Sequence, residues 1–258
     1  MSKPEYDEFF YKGTPEHIVE LKDALVKGRN YRDTLLDDYD RSLLFCPECH
    51  NGQLKFTPEY PPRRAFLSFI GNGETDHAEG CSHKLPAAGK RETKEYYDSL
   101  TDQQIENKLN AAINRFLRHI NPDENTPEEE RYLNHPAVMT RHRNGELLRK
   151  RLLTRSVYSI YDINDDELNI PILLYGNVKL SIDEHPSKYR EGEYYYYLNL
   201  IDPKTAKRVR YFYRGTVRDN IDINALYHVT IIAVFKRNPN GKLISDLYTQ
   251  NAITYIEI

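Results

Sequence analysis

The 258-residue sequence contains no tryptophan, only three cysteines and no run of eighteen apolar residues. Without such a run, no segment can cross a bilayer as a helix, and the first ten residues lack the apolar centre of a secretory signal. Three cysteines cannot all pair in disulfides, which a reducing compartment also disfavours. These absences predict a cytosolic protein without a membrane partner, whose thiols bind metal or are unrelated to one another.

Basic residues are not in excess either, since 36 Lys and Arg stand against 39 Asp and Glu, for a formal net charge of -3. Proteins that bind duplex DNA mainly through phosphates are usually basic, so the charge argues against that role but leaves a local basic patch open. Tyrosine is abundant instead, with 21 residues. It suits half-exposed strands and contact surfaces because it combines an apolar ring with a polar tip.

All three cysteines fall within residues 46–83 and are accompanied there by histidines. Zinc in structural sites takes four ligands in a tetrahedron, and a Cys-x-x-Cys turn directs two thiolates at one ion. Cys46, Cys49 and Cys81 supply three ligands, and His77 or His83 supplies the fourth. We favour His77, because its three-residue gap to Cys81 lets both side chains converge. The prediction is a structural Zn²⁺ site.

Three other interpretations of the cysteine segment stay open. The first is an accidental pair of cysteines with unrelated histidines, and the second is a Cys-x-x-Cys redox centre. A redox centre leaves the third cysteine unexplained, and no βαβ pattern surrounds the motif. The third is a catalytic zinc with Glu48 or Glu79 as general base, although three thiolates usually form a closed structural site.

The segment Cys46-Pro47-Glu48-Cys49, with Phe66 and then His77-x3-Cys81, resembles the N-terminal zinc module of competence-protein CoiA-like families. The resemblance covers about forty residues and implies a protein of bacteria or of their phages and mobile elements. In place of the two histidines of the family's His-Phe-x-His signature this sequence has Ala65 and Ser68. Such families often carry a nuclease domain, but we find no Asp…Glu-x-Lys set in a strand context, so a nuclease is the last alternative.

Apolar periodicity predicts helices over 14–28, from about residue 101, from 126 and over 146–153. From about residue 156 the period changes to two, which predicts strands over 171–182, 194–202, 207–214, 227–237 and 242–257. The predicted fold class is α+β. We expect a zinc-binding module with an N-terminal helix over 1–95, a helical segment over 96–155, and an all-β domain over 156–258. That domain resembles an oligonucleotide/oligosaccharide-binding (OB) barrel or a small sandwich.

Aromatic residues of the strand predicted at 194–202 face arginines and aromatics of the strand predicted at 207–214, and the register that aligns their faces stays open. One sheet face is predicted to combine rings with guanidinium groups, which is what single-stranded nucleic acid requires. These residues are Tyr195, Tyr197, Arg208, Arg210, Phe212 and Arg214. The predicted helix over 146–153 would add Arg149, Lys150 and Arg151 on its outer side.

The leading hypothesis is therefore a non-catalytic zinc protein that binds single-stranded DNA or RNA. A protein–protein adaptor that uses the same sheet is the alternative, because tyrosine and arginine are also common at protein interfaces.

Overall fold

The computed structural model describes residues 5–27, 33–60, 65–71, 77–118, 126–143, 145–187 and 190–258. The chain is mostly β, with 42% strand and 20% helix, and contains a curled antiparallel sheet. It divides into two compact units. Unit 1 comprises Met1–Pro86 and Pro127–Tyr132, and unit 2 comprises Ala87–Thr126 and Leu133–Ile258.

Unit 1 is built from strands of two to four residues in three small antiparallel sheets, ordered β1-β8-β7, β3-β2-β6 and β4-β5. The strands are β1 (Glu5–Tyr6), β2 (Glu8–Tyr11), β3 (His17–Glu20), β4 (Leu25–Lys27), β5 (Asp33–Leu35), β6 (Leu44–Phe45), β7 (Leu54–Thr57) and β8 (Phe66–Phe69). Their buried side chains, including Phe9, Leu44 and Leu67, form one core that also contains Cys46 and Cys81.

The helix predicted over 14–28 is wrong. The segment forms β3, a 3-10 turn (Leu21–Ala24) and β4. Its backbone pairs across strands instead of within a helix, with Val19 opposite Phe9 and Ile18 opposite Phe10. Ile18 and Val19 are β-branched and fit a pleated surface, so strand pairing prevails over the apparent helical spacing.

Unit 2 begins with helices α1 (Lys90–Asp98) and α2 (Asp102–Ala112), the latter continued by a π-helical turn (Ile113–Leu117). The predicted helix start near residue 101 is confirmed, because Thr101 caps α2 and exchanges bonds with Gln104 in a capping box. The predicted helix start at 126 is also confirmed by α3 (Glu128–Leu133), which belongs to unit 1 except for its last residue. In the part of the chain that the structure describes, every helix is too short or too polar to span a membrane.

The helix predicted over 146–153 is also wrong, because residues 146–151 form a strand. β9 (Val138–Arg143) and β10 (Glu146–Arg151) make an antiparallel hairpin in which Arg149 lies opposite Thr140. Alternation along a strand places Lys150 on the face opposite to Arg149 and Arg151. The three basic residues therefore do not share one exposed side.

The predicted C-terminal strands are confirmed, and the last stretch contains two of them. They are β11 (Thr154–Ser156), β12 (Pro171–Pro186), β13 (Tyr194–Ile201), β14 (Arg208–Gly215), β15 (Tyr227–Arg237), β16 (Leu243–Leu247) and β17 (Ile253–Glu257). The sheet order is β14-β13-β12-β15-β16, with β11 parallel to β12 and β17 paired with β15.

The sheet curls because β12 changes partner halfway along its length. Its residues 171–178 pair with β15, and its residues 179–186 pair with β13. Gly176 lies close to this change, and a Cβ there would stand 2.5 Å from Val157. Inside the curl lies a buried core contributed by all the long strands, including Leu180, Leu198 and Phe212.

The two outer strands, β14 and β16, are joined by side chains. Arg210 donates from Nε to Ser245 Oγ at 2.8 Å and from Nη2 to the Leu243 carbonyl at 3.0 Å. Arg214 is buried and donates to both carboxylate oxygens of Asp219, at 2.9 and 3.1 Å. Gln250 Nε2 donates to the Arg214 carbonyl at 3.1 Å. Arg210 thus links β14 to β16 where the backbone ladder stops, and Gln250 links the segment after β16 to the end of β14.

Candidate metal centre and aromatic surface

Four sulfur and nitrogen atoms meet in unit 1 where two loops face each other. The side chains of Cys46, Cys49, His77 and Cys81 place one ligand atom each within 4.8 Å of all the others. Cys46 Sγ lies 4.0 Å from Cys81 Sγ, and His77 Nδ1 lies 3.3 Å from Cys49 Sγ and 3.6 Å from Cys81 Sγ. Bonds of about 2.0–2.3 Å in a tetrahedron place ligand atoms about 3.5–3.8 Å apart. The four residues can therefore hold one metal ion.

Backbone hydrogen bonds in the loop of residues 46–52 fix the positions of Cys46 and Cys49. Cys46 donates its amide to the Gly52 carbonyl at 2.7 Å, and His50 donates its amide to the Cys46 carbonyl at 2.9 Å. A Cβ on Gly52 would lie 2.6 Å from the His77 ring, so glycine at this position lets the imidazole approach. His50 itself stacks on Phe10 with ring centroids 3.7 Å apart and stays outside the ligand set.

His77 is oriented by aromatic neighbours on its other side. Its Nε2 lies 3.4 Å from Tyr6 Oη, which leaves Nδ1 for the thiols. A second partner on the free ring nitrogen is the usual way to fix the orientation of a metal-binding histidine. His83 stacks on both Tyr6 and His77, at 4.5 and 5.6 Å between ring centroids. The structure thus places His77 among the thiols and His83 behind it as a packing residue.

Glu48 ties the two loops together. Its carboxylate accepts from the Ser82 amide at 2.7 Å and from the Ser82 hydroxyl at 2.6 Å, and Ser82 is buried next to Cys81. A general base needs to face a reacting water, whereas this carboxylate is engaged with protein donors. The geometry gives Glu48 a role in holding the loops at the correct spacing.

The thiols differ in acidity. Hydrogen bonds from Cys46, Cys81 and His77 and from the Gly52 amide lower the pKa of Cys49 strongly. Burial raises the pKa of Cys46 and of Cys81 well above the ordinary thiol value. A divalent cation reverses this penalty because a coordinated thiol loses its proton.

A second candidate site lies on the outer face of β12, β13 and β14 in unit 2. Cross-strand pairing places Asp183 beside Tyr197 and Tyr197 beside Tyr213, with His185 beside Tyr195 in the next row. The ring centroids of neighbouring residues lie 5.3–6.1 Å apart. We call this cluster the tyrosine surface, and it consists of His185, Tyr195, Tyr197, Tyr211 and Tyr213.

The tyrosine surface differs from the face predicted from sequence. Phe212 is fully buried in the core, so it cannot stack on a ligand. Arg210 and Arg214 lie on the same inner side and join β14 to β16 and to Gln250. The residues that reach the outer face are Tyr211 and Tyr213, which are 43% and 55% exposed. The alternation of residues along β14 predicts that Tyr211 and Tyr213 share one face. The sequence does not reveal the register that decides which face points outward.

Arg208 is the arginine that does reach the tyrosine surface. Its guanidinium lies 5.2 Å from the Tyr211 ring centroid, donates to Asn199 Oδ1 at 3.2 Å and stands 3.5 Å from Asp183 Oδ2. A register shift between Leu200 and Ile201 directs Arg208 outward while Val209 packs in the core. Burial, followed by the neighbouring phenols, raises the pKa of Tyr197.

Two cations of the β9–β10 hairpin are paired with carboxylates of α1. Lys150 Nζ donates to both carboxylate oxygens of Glu92 at 2.6 and 2.7 Å, and Arg141 Nη1 lies 3.2 Å from Glu95. These pairs line a cleft of about 480 Å³ between α1 and the hairpin. Arg149 and Arg151 lie on the other face, so the structure does not bring the predicted set of three cations together.

Comparisons with known proteins give no assignment. No family model matches the chain, and no curated protein and no solved structure is significantly similar to it. The resemblance of residues 43–83 to a CoiA-type zinc module therefore stays a prediction that depends on the cysteine motif alone.

Proposed function

We propose that this chain is a non-catalytic, zinc-containing protein that binds single-stranded nucleic acid on the tyrosine surface. The observation that carries the proposal is the cluster of four tyrosines and one histidine on an outer sheet face. Each base has a π-face, and stacking on an aromatic side chain contributes about 1–3 kcal/mol per base. Tyr211 and Tyr213 offer exposed rings for this purpose.

The topology of unit 2 favours the same function. A curled antiparallel sheet of five successive long strands, with the first strand shared between both halves, fits an OB-type barrel. Such barrels bind oligonucleotides on the face of their second and third strands. In this chain those strands are β13 and β14, which carry four of the five residues of the tyrosine surface.

The outer face carries few charges, so the proposal predicts a weak dependence of the affinity on salt concentration. In the described strands β12–β14, Arg208 and Lys179 are the cations on the outer side, and Asp183 partly offsets them. Binding of single strands loses affinity with salt at a slope of about -0.7 for each phosphate neutralised. We therefore expect a slope of about -1 and an affinity that depends mainly on stacking.

The test is fluorescence anisotropy of a labelled twelve-nucleotide strand with the full chain. Tyr213→Ala removes an exposed ring, and we expect it to weaken binding by roughly 5–150-fold. Tyr194→Ala is the matched control, because Tyr194 is 45% exposed but lies on the opposite face of β13. Equal effects of the two substitutions, or no binding by the unmodified protein, would contradict the proposal.

For the metal centre we propose Zn²⁺ in a structural role. Three thiolates and one imidazole make a closed set typical of structural zinc, and Glu48 and Ser82 preset the loops. Metal analysis of the purified protein should give one zinc per chain, and Cys46→Ser should abolish it. A content near zero in the unmodified protein would exclude this role.

A protein–protein adaptor is the second candidate. It is favoured by the use of Arg210 and Arg214 inside the fold, which leaves a nearly neutral aromatic patch typical of the centre of protein interfaces. The adaptor function predicts no oligonucleotide affinity and a co-purifying polypeptide whose binding Tyr213→Ala weakens and Tyr194→Ala does not.

A further inference from the structure

Arg208 and Asp183 place a hydrogen-bond donor and an acceptor side by side within the tyrosine surface. Their closest atoms are 3.5 Å apart, and the two side chains are 55% and 47% exposed. Arg208 donates to Asn199 and lies next to the Tyr211 ring, while Asp183 is the cross-strand partner of Tyr197. A base that stacks on these rings therefore meets the Arg208–Asp183 pair with its edge.

An exposed ion pair of this kind is easily opened by a ligand. Such a pair contributes little to stability, so each group can replace its partner with a ligand atom at little cost. The exchange is favourable only if the ligand satisfies both groups, because a desolvated charge without a partner is costly. The incoming base must present donors to the carboxylate and acceptors to the guanidinium.

Guanine meets this requirement better than the other bases. Its N1–H and N2–H₂ groups are adjacent donors that match the two oxygens of one carboxylate, whereas adenine, cytosine and thymine each offer a single donor group on that edge. Its O6 and N7 atoms are the acceptors that arginine binds bidentately. Single-stranded bases are read on both of these edges when they are splayed onto aromatic side chains.

We infer that the tyrosine surface prefers guanine in single-stranded nucleic acid, with Asp183 and Arg208 as the residues that determine the preference. This inference rests on the proposed function. A good bidentate contact discriminates between bases by about 1–3 kcal/mol, which corresponds to roughly 5–150-fold in affinity.

The experiment compares two labelled twelve-nucleotide strands on the full chain, one of thymine only and one with three isolated guanines in thymine. Isolated guanines avoid four-stranded structures. We expect the guanine strand to bind roughly 5–150-fold more tightly. Asp183→Asn should abolish most of that difference, because an amide cannot accept both guanine donors. Glu184→Gln is the matched control, since Glu184 lies next to Asp183 in sequence but pairs with Tyr196 on the opposite face.

The outcomes separate the two ideas. Equal binding of both strands, unchanged by Asp183→Asn, overturns the guanine preference and leaves the proposed function intact. A guanine preference that survives Asp183→Asn also overturns it, because another group would then read the base. No binding of either strand refutes the proposed function together with the inference.

Discussion

The two units reach a folded core by different means. Unit 1 uses strands of two to four residues in three separate sheets, whereas the central strand of unit 2 has sixteen residues. A two-stranded ribbon is marginal in water, and a stable sheet needs three or more strands with a buried face. The short strands of unit 1 therefore gain stability from a cross-link between loops. The long strands of unit 2 are held in register by the packing of their side chains.

Each unit contains a group of side chains that connects separate parts of its fold. In unit 1 the Cys46, Cys49, His77 and Cys81 cluster lies against the core and connects the loop after β6 with the loop after β8. In unit 2 the ladder stops between β14 and β16. There the half-buried Arg210 donates to Ser245 and to the Leu243 carbonyl, and the buried Arg214 pairs with Asp219 just after β14. With the proposed metal ion bound, the cluster of unit 1 depends on that ion, whereas the end of β14 depends on a buried ion pair, so the two should fail under different conditions.

The largest expected effect is the loss of metal from unit 1. Structural zinc contributes about 10–16 kcal/mol of apparent binding free energy in small modules, which is comparable to the whole stability of a domain. We expect Cys46→Ser, or removal of metal by a chelator, to abolish hydrogen-exchange protection in β7 and β8. Protection in β12 and β15 should persist, because their core contains no metal ligand.

His83→Ala is the control for this experiment. His83 stacks on His77 but lies outside the ligand set, so zinc content and protection in β7 should remain. Equal loss of protection in β7 and β12 after Cys46→Ser would show that the metal supports both cores and would break the comparison.

A smaller effect is expected from the arginine contacts of unit 2. Arg214 and Asp219 form a pair whose side chains are 8% and 6% exposed, and Tyr255 donates to the same carboxylate at 3.2 Å. Removing one partner of a buried pair costs about 3–5 kcal/mol, because the remaining charge loses its compensation. Arg214→Met should therefore lower the free energy of unfolding by about that amount in urea titrations followed by circular dichroism.

Arg208→Met provides the internal comparison, since its pair with Asp183 is exposed and worth about 0–1 kcal/mol. The double substitution Arg214→Met with Asp219→Leu should recover part of the loss, because no buried charge then remains. Similar losses for Arg214→Met and Arg208→Met would indicate that the sheet does not rely on the buried pair.

The contrast between the units also explains what the sequence could predict. The β-branched and aromatic residues of β13 and β15, with Asn240-Gly241 at a turn, predicted the long strands of unit 2. Thr101 and the apolar spacing after it identified α2. In residues 14–28 and 146–153 the apolar residues fit a helical period by coincidence, and only the pairing of Val19 with Phe9 and of Arg149 with Thr140 decides for strands.

The two candidate sites differ in the same way. Cysteine spacing restricts the candidate ligands because one ion must be reached by all of them. The sequence therefore predicts three cysteine ligands and leaves two histidines as candidates for the fourth. The tyrosine surface depends on strand register, and a one-residue shift reverses the face. The register shift next to Ile201 directs Arg208 outward, while Arg210 and Arg214 stay inside, which no local pattern reveals.

A third difference between the units concerns pH and centres on Lys108 of α2. The side chain is buried, and its Nζ donates to the carbonyls of Pro136 at 2.8 Å and Val138 at 3.2 Å. Burial lowers the pKa of Lys108 from 10.5 to about 7. A charged ammonium without a carboxylate partner is costly in such a place, so the neutral amine is favoured in the native state.

The smallest expected effect follows from this pKa. Between the native pKa near 7 and the unfolded value of 10.5, the unfolded chain binds more protons than the native one. The contribution of Lys108 to stability therefore rises with pH across this window and is lost as pH falls through 7. We expect the unfolding free energy of the unmodified protein to rise by about 2 kcal/mol from pH 7 to pH 9 relative to Lys108→Met. Urea titrations at both pH values measure the difference, and parallel curves for the two proteins would mean that Lys108 stays charged inside unit 2.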